Sequence, residues 1–219
     1  MKISKFVQKR VSPLCLVAAF AFASSAVAAP IIGGTTTVVL DEAVAGVVIG
    51  AGVTPSAIGT GSLSGLAFDF PITGGNLSEA VIPGSTIAHD GSGIAFTAGV
   101  AALFVGNFLI DTTSLIISGY ALSLNPAIGA PIAAGSGVPL FSLSLNTSPG
   151  LPFIVSLTDA AAGVLNDTFG TDLFSGGLAI GTAGTAPQVS VSEPGTAALL
   201  GALMLGLFAT RRRRSKVAA

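Results

Sequence analysis

The sequence predicts a mainly β chain: a single β-sandwich or open-barrel-like domain with one or two short helices, flanked by an N-terminal signal peptide and a C-terminal transmembrane helix. Three observations predict it. Short runs rich in Val, Ile, Phe and Thr alternate with Gly, Pro, Ser and Asn punctuation through the middle of the chain. All nine basic residues lie at the two ends, at Lys2, Lys5, Lys9, Arg10, Arg211 to Arg214 and Lys216. An apolar run adjoins each basic cluster, and no long apolar run interrupts the middle. The chain therefore divides into a signal peptide (1–28), a β-rich exported domain (29–188) and a sorting tail (189–219).

The first segment has the three parts of a secretory signal. MKISKFVQKR is basic, Leu14 to Ala23 is an apolar stretch of the right length, and Ala26 and Ala28 supply the small residues for cleavage before Ala29. The partners this implies are the Sec machinery and signal peptidase. The single cysteine, Cys15, leaves with that peptide, so the mature chain has no disulfide, thiolate metal site or cysteine nucleophile. All ten acids lie between Val11 and Thr210, where there is no basic residue. Such a domain repels phosphate backbones, which excludes nucleic acid as a partner.

Within the domain, strands are expected at 35–40, 63–70, 93–97, 101–110, 114–124, 138–145, 153–157 and 178–181. LSGLAFDF places Leu66, Phe68 and Phe70 on one face, and apolar side chains on both faces near Phe141 predict a strand covered on two sides. PITGGN and NTSPGLP supply turn chemistry. An internal repeat breaks the β pattern: LDEAVAGVV at 40–48 and LTDAAAGVL at 157–165 share Leu, Ala, Ala, Gly and Val in register. Each follows a strand and places an acid before small residues, so two strand-to-short-helix units are expected, with Asp159 as a helix cap.

Chemistry-bearing residues are few. Gly61-Ser62-Leu63-Ser64-Gly65 offers Ser64 as a candidate hydrolase nucleophile. That arrangement needs a helix after the serine and a later acid and histidine. Here LAFDF reads as strand, and the only histidine, His89, follows too soon. His89 sits in AHDGSG and reads as a residue of a turn. Asp159, Asp167 and Asp172 are dispersed and form no D-x-D-x-D-G calcium loop. Asn76, Asn146 and Asn166 fit the N-x-S/T glycosylation pattern, and no phosphate-cradling glycine loop occurs. The expectation is a non-enzymatic protein with no catalytic residue, metal or cofactor.

The tail reads SEPGTAALLGALMLGLFATRRRR. Its helix, 195–210, would span about 24 Å, short of a roughly 30 Å hydrocarbon core. Glu193-Pro194, a short apolar helix and the Arg211, Arg212, Arg213 and Arg214 cluster stand in fixed order before the basic end at 211–216. This tail resembles the PEP-CTERM sorting domain of exported bacterial proteins, with Ser192 replacing the first proline. The resemblance implies recognition at Glu193 and Pro194 by an exosortase-type protease, a transient or permanent single membrane span, and arginines that set topology. It also implies delivery to the cell surface or extracellular matrix, with exopolysaccharide or biofilm as the setting.

FPITGGNL, STIAHDGSGIAFTAG, VGNFLIDTT and VPLFSLSL, in that order, resemble an HtaA-type haem-uptake β-domain. That resemblance implies a surface module for haem or another small ligand. Haem iron would need Tyr or His, and the candidates are His89 and Tyr120.

Overall fold

The computed structural model describes residues 28–78, 84–125 and 132–190, with nothing stated of the side chains at 132–136. The strands are β1 (Ala29–Leu40), β2 (Thr54–Gly59), β3 (Ser62–Ser64), β4 (Ala67–Pro71), β5 (Gly74–Leu77) and β6 (Thr86–Ala98). They continue as β7 (Ala101–Asp111), β8 (Ile116–Leu124), β9 (Ile132–Leu145), β10 (Phe153–Leu157) and β11 (Ala179–Val189). Two helices follow β1 and β10: α1 (Glu42–Gly50) and α2 (Asp159–Phe169).

All strands belong to one antiparallel sheet in the order β11-β10-β9-β8-β7-β6-β5-β1-β4-β3, with β2 on β6. The last strand also pairs with the first, from Ile31↔Val189 to Leu40↔Gly181, so the sheet closes on itself. Strand spacing alone did not reveal this closure. On its other edge β1 meets β4 and β5, which are consecutive pieces of one interrupted strand: Thr35 faces Pro71 and Pro30 faces Asn76. A second break lies in 63–70, expected as one strand. A turn through Gly65, at φ 63°, folds it into the β3–β4 hairpin, with Ser64 opposite Ala67.

Side-chain alternation then sorts residues to the inside or outside of the closed sheet. Phe68, Phe70, Ile87, Leu103, Phe108 and Val155 point inward and are buried. Leu140 and Phe141, adjacent on β9, are both buried and line the same cavity, because the ladder to β8 skips Leu140 between Ser118↔Pro139 and Ile117↔Phe141; a bulge accounts for the pair in place of the expected cover on two sides. Gly74–Leu77, which takes in the second half of the expected PITGGN loop, is strand β5, and 54–59 is strand β2 despite Pro55. At the β7–β8 turn, the Thr113 N–H and the Ser114 hydroxyl donate to the exposed Asp111 carboxylate, at 2.7 and 3.0 Å. These bonds hold its pKa below the usual carboxylate value.

The repeat at 40–48 and 157–165 forms two strand-to-helix units. Asp41 caps α1 by accepting from the Ala43 and Val44 N–H groups. Thr158, its counterpart, caps α2 by accepting from Ala161 N–H, and also donates to the Pro139 carbonyl at 2.7 Å. Asp159, expected to be the cap, is instead the first helical residue, where its charge complements the helix dipole. The matched residues Ala45 and Val48, and Ala162 and Leu165, are buried against the barrel. Among the described residues no helix is long and apolar enough to cross a membrane, and 195–210 lies outside them.

Thr158→Ala should cost about 1–2 kcal/mol in urea unfolding, because it removes a cap and a strand contact together. Asp159→Asn should cost no more than about 1 kcal/mol, the upper dipole contribution of an exposed charge.

Candidate functional site

Among the described residues, the expected site residues fall at separate places. Ser64 is exposed on the edge strand β3 and is followed by a turn and strand β4, with no helix after it. His89 is buried, so the two are not brought together. No group of three His, Cys, Asp or Glu residues that could hold a metal occurs among the described residues, Asp159, Asp167 and Asp172 included. Ala26, Glu193, Pro194 and Arg211 to Arg214 lie outside them. The expected cut after Ala28 would leave β1 whole, since that strand begins at Ala29.

His89 lies in strand β6 and not in a turn. AHDGSG is an irregularity within the strand: pairing with β7 runs through His89↔Phe108 and resumes at Gly93↔Gly106. Gly91 and Asn107 both have positive φ, and Gly91 N–H donates to Asn107 Oδ1 at 2.8 Å. Asp90 N–H donates to Thr73 Oγ1, and Ser92 Oγ donates to the His89 carbonyl. This bulge satisfies its own polar groups outside while directing the imidazole inward.

Inside, His89 is 1% exposed. Its Nε2 lies 2.8 Å from Thr36 Oγ1, which lies 3.1 Å from Thr185 Oγ1. Those threonines sit opposite each other on β1 and β11, at the seam of the closed sheet. The Nδ1 atom has no hydrogen-bond partner of acceptable geometry. Phe70 meets the imidazole edge-on at 6.4 Å and packs on Phe108 at 5.2 Å. Burial among these rings pushes the His89 pKa from 6.5 down to about 4, against weaker opposing pulls from the Phe108 main chain and Asp90. The imidazole is therefore neutral at pH 7.

Two cavities adjoin this interior. One of about 60 Å³ lies between α1, α2 and the sheet, and its walls are wholly apolar, including Val44, Val48, Ala161 and Leu165. The other, of about 50 Å³, lies inside the barrel and is lined by His89, Thr36 and apolar residues. Leu40, Phe96, Phe141 and Ile180 belong to both walls.

Tyr120 is on the other side of the sheet. Along β8, Ile117, Gly119, Ala121 and Ser123 are buried, and Tyr120 alternates with them as a half-buried outward residue. It pairs with Gly106, and its ring needs that glycine: a Cβ there would lie 3.1 Å from both Tyr120 Cε1 and Oη. The sequence contains no signal that His89 and Tyr120 face opposite ways. Thr36 and Thr185 were missed because one threonine in a Thr-rich strand looks like any other.

The structure is similar to two solved domains of HtaA from Corynebacterium glutamicum. For the C-terminal domain the TM-score is 0.55 at 14% identity, covering 74% of this chain and 99% of that domain. For the N-terminal domain it is 0.57 at 13% identity, covering 72% and 98%. The heme binding protein HtaB of the same organism gives 0.47 at 10% identity over 75% and 98%. No protein-family model matches the chain, and no curated protein matches it in sequence. The likeness to the HtaA domains is one of fold.

The depressed His89 pKa has a signed consequence. The unfolded chain takes up this proton near pH 6.5 and the folded chain only near pH 4, so stability is full above 6.5 and falls as pH drops to 4. The loss should total about 3 kcal/mol. Urea unfolding of the 29–190 domain at pH 7 and pH 4 measures it, and His89→Phe should abolish this component.

Proposed function

We propose that this chain is a non-enzymatic, exported surface protein whose barrel serves as a ligand-binding module. The observation that carries this reading is the HtaA-like fold, which spans nearly the whole of both HtaA domains. The separation of Ser64 from the one histidine supports the non-enzymatic part. Export rests on the two terminal segments of the sequence.

Haem is the first ligand to test, and the two candidate residues do not fit it equally. His89 does not fit: its Nε2 is engaged by Thr36, and it faces a chamber of about 50 Å³ inside the sheet. Tyr120 fits an iron ligand in chemistry and position, since its phenol lies on the outer face. The domain at 29–188 contains no Lys or Arg, so carboxylate groups of such a ligand would have to face solvent.

A second reading, a structural component of an exopolysaccharide matrix, is favoured by the order Glu193-Pro194, apolar run and Arg211 to Arg214. The two readings are compatible, because one concerns delivery and the other the delivered domain.

Titrating haem into the 29–190 domain should give a saturable Soret shift. Tyr120→Phe should weaken it at least about tenfold and His89→Phe should leave it unchanged; no saturable shift in the parent domain would overturn the haem reading. Intact mass of the protein from cells and medium tests delivery. A product ending near Glu193, absent from cells lacking the sorting protease, is expected; one retaining Arg211 to Arg214 would mean a permanent anchor.

A further inference from the structure

Helix α1 is apolar on the side turned away from the barrel as well as on the side packed against it. Its buried residues are Ala45 and Val48. Ala43, Gly46, Val47 and Gly50 recur at the i, i+3, i+4, i+7 spacing of a second face, and all four are exposed. Val47 on that face and Ile49 at its border are more than half exposed. A helix apolar all round calls for cover all round, and the barrel covers one side.

The glycines sharpen this. A Cβ at Gly46 or Gly50 would meet nothing within 4 Å, and neither residue has a positive φ. The fold of this chain therefore requires neither, although glycine weakens a helix relative to alanine. Glycines four apart on an open face let a second helix approach closely. The repeat supplies the contrast. On α2 the counterparts of Val47, Ile49 and Gly50 are Val164, Asn166 and Asp167. Val164 is half-buried, and the Asn166 carboxamide donates to the Phe174 carbonyl at 2.8 Å and accepts from its N–H at 3.1 Å, which holds the following loop against the helix. No such loop follows α1, because β2 begins at Thr54.

Charge selects the occupant. Asp41 and Glu42 stand at the N-terminal end of α1, and Asp159, Asp167 and Asp172 belong to the same end of the barrel. The domain at 29–190 contains no Lys or Arg. Anionic lipid finds no partner here, and a second copy brings more negative charge. We propose that this face of α1 docks a cationic amphipathic helix of a partner protein, with small and apolar residues against Gly46, Val47 and Gly50 and Lys or Arg beside Asp41 and Glu42. Glu42 and Gly50 are about 12 Å apart along the axis, so two to three turns of the partner carry both contacts. The face is separate from Tyr120, so the proposal stands whether or not haem binds there.

The probe is a synthetic helical peptide of about 15 residues, with Ala and Leu on one face and Lys on the other, and its control has Glu in place of Lys. The 29–190 domain suits the test because β1 and β11 complete its sheet without the terminal segments. Fluorescence anisotropy should show saturable binding of the Lys peptide, at least about tenfold tighter than that of the Glu peptide. Val47→Ser should weaken it about tenfold, and Ile32→Ser, at an exposed residue near the other end of the barrel, should leave it unchanged. Gly46→Gln separates docking from folding: it should raise the urea midpoint, because its side chain enters open space on a helix, and still weaken the peptide at least about tenfold. Amide shifts on binding should centre on 42–50. Absence of saturable binding, equal affinity for both peptides, or binding indifferent to Val47→Ser and Gly46→Gln would overturn the proposal. Dimerisation of the free domain that Gly46→Gln abolishes would give the face to a second copy, and cosedimentation with phosphatidylcholine vesicles that the same variant abolishes would give it to lipid; either result overturns the partner named.

Discussion

The pairing of β1 with β11 is the constraint on which the rest of the structure depends. Ile31 to Leu40 meet Gly181 to Val189, strands joined by nearly the whole length of the domain. Without that seam the sheet would have two free edges and no enclosed interior, and alternation along each strand would separate a wet face from a dry one only weakly. With it, inward residues enter a common core of Phe68, Phe70, Phe108 and Phe141. Outward residues such as Tyr120 stay at the surface. The seam also carries the threonine pair that reaches His89. The one buried imidazole therefore lies against the seam where β1 and β11 must find each other.

That placement sets two demands against each other. A neutral imidazole among phenylalanines is bonded on one side and unpaired on the other, which costs stability that an apolar side chain would not. A Phe at position 89 would extend the edge-to-face ring packing already formed by Phe70 and Phe108. The bond to Thr36 and the pull of the Phe108 main chain offset part of that cost.

Much of the architecture was legible because local chemistry and tertiary context agree. Phe153–Leu157 alternates cleanly and is a strand with the expected bounds. The two LxxAxAGV stretches are strand-to-helix units because Asp41 and Thr158 offer side-chain oxygens at equivalent places. What failed were segments whose composition speaks against their role. Pro55 and Gly74-Gly75 discourage a strand reading, yet β2 and β5 exist because β6 supplies their hydrogen bonds. The Asp90-Gly91 pair reads as a turn, but the chain bulges there and continues, which carried His89 from an expected surface to the core. Asp159 was preferred to Thr158 as a cap because both can serve, and only the geometry of the strand's end chooses. The partnership of His89 with Thr36 and Thr185 depends on closure, which no local pattern encodes.

The same seam places both ends of the domain together. Ser190 N–H donates to the Pro30 carbonyl, whereas Leu40 and Leu157 lead into α1 and α2 at the opposite end, near Gly181. The barrel thus has a foot, where the chain enters and leaves, and a head roofed by the two helices. Trimming at either terminus would remove nothing that the head requires. A tether attached beyond Ser190 would grip the foot alone, holding the helix-roofed head outward, as far from the point of attachment as the strands can carry it.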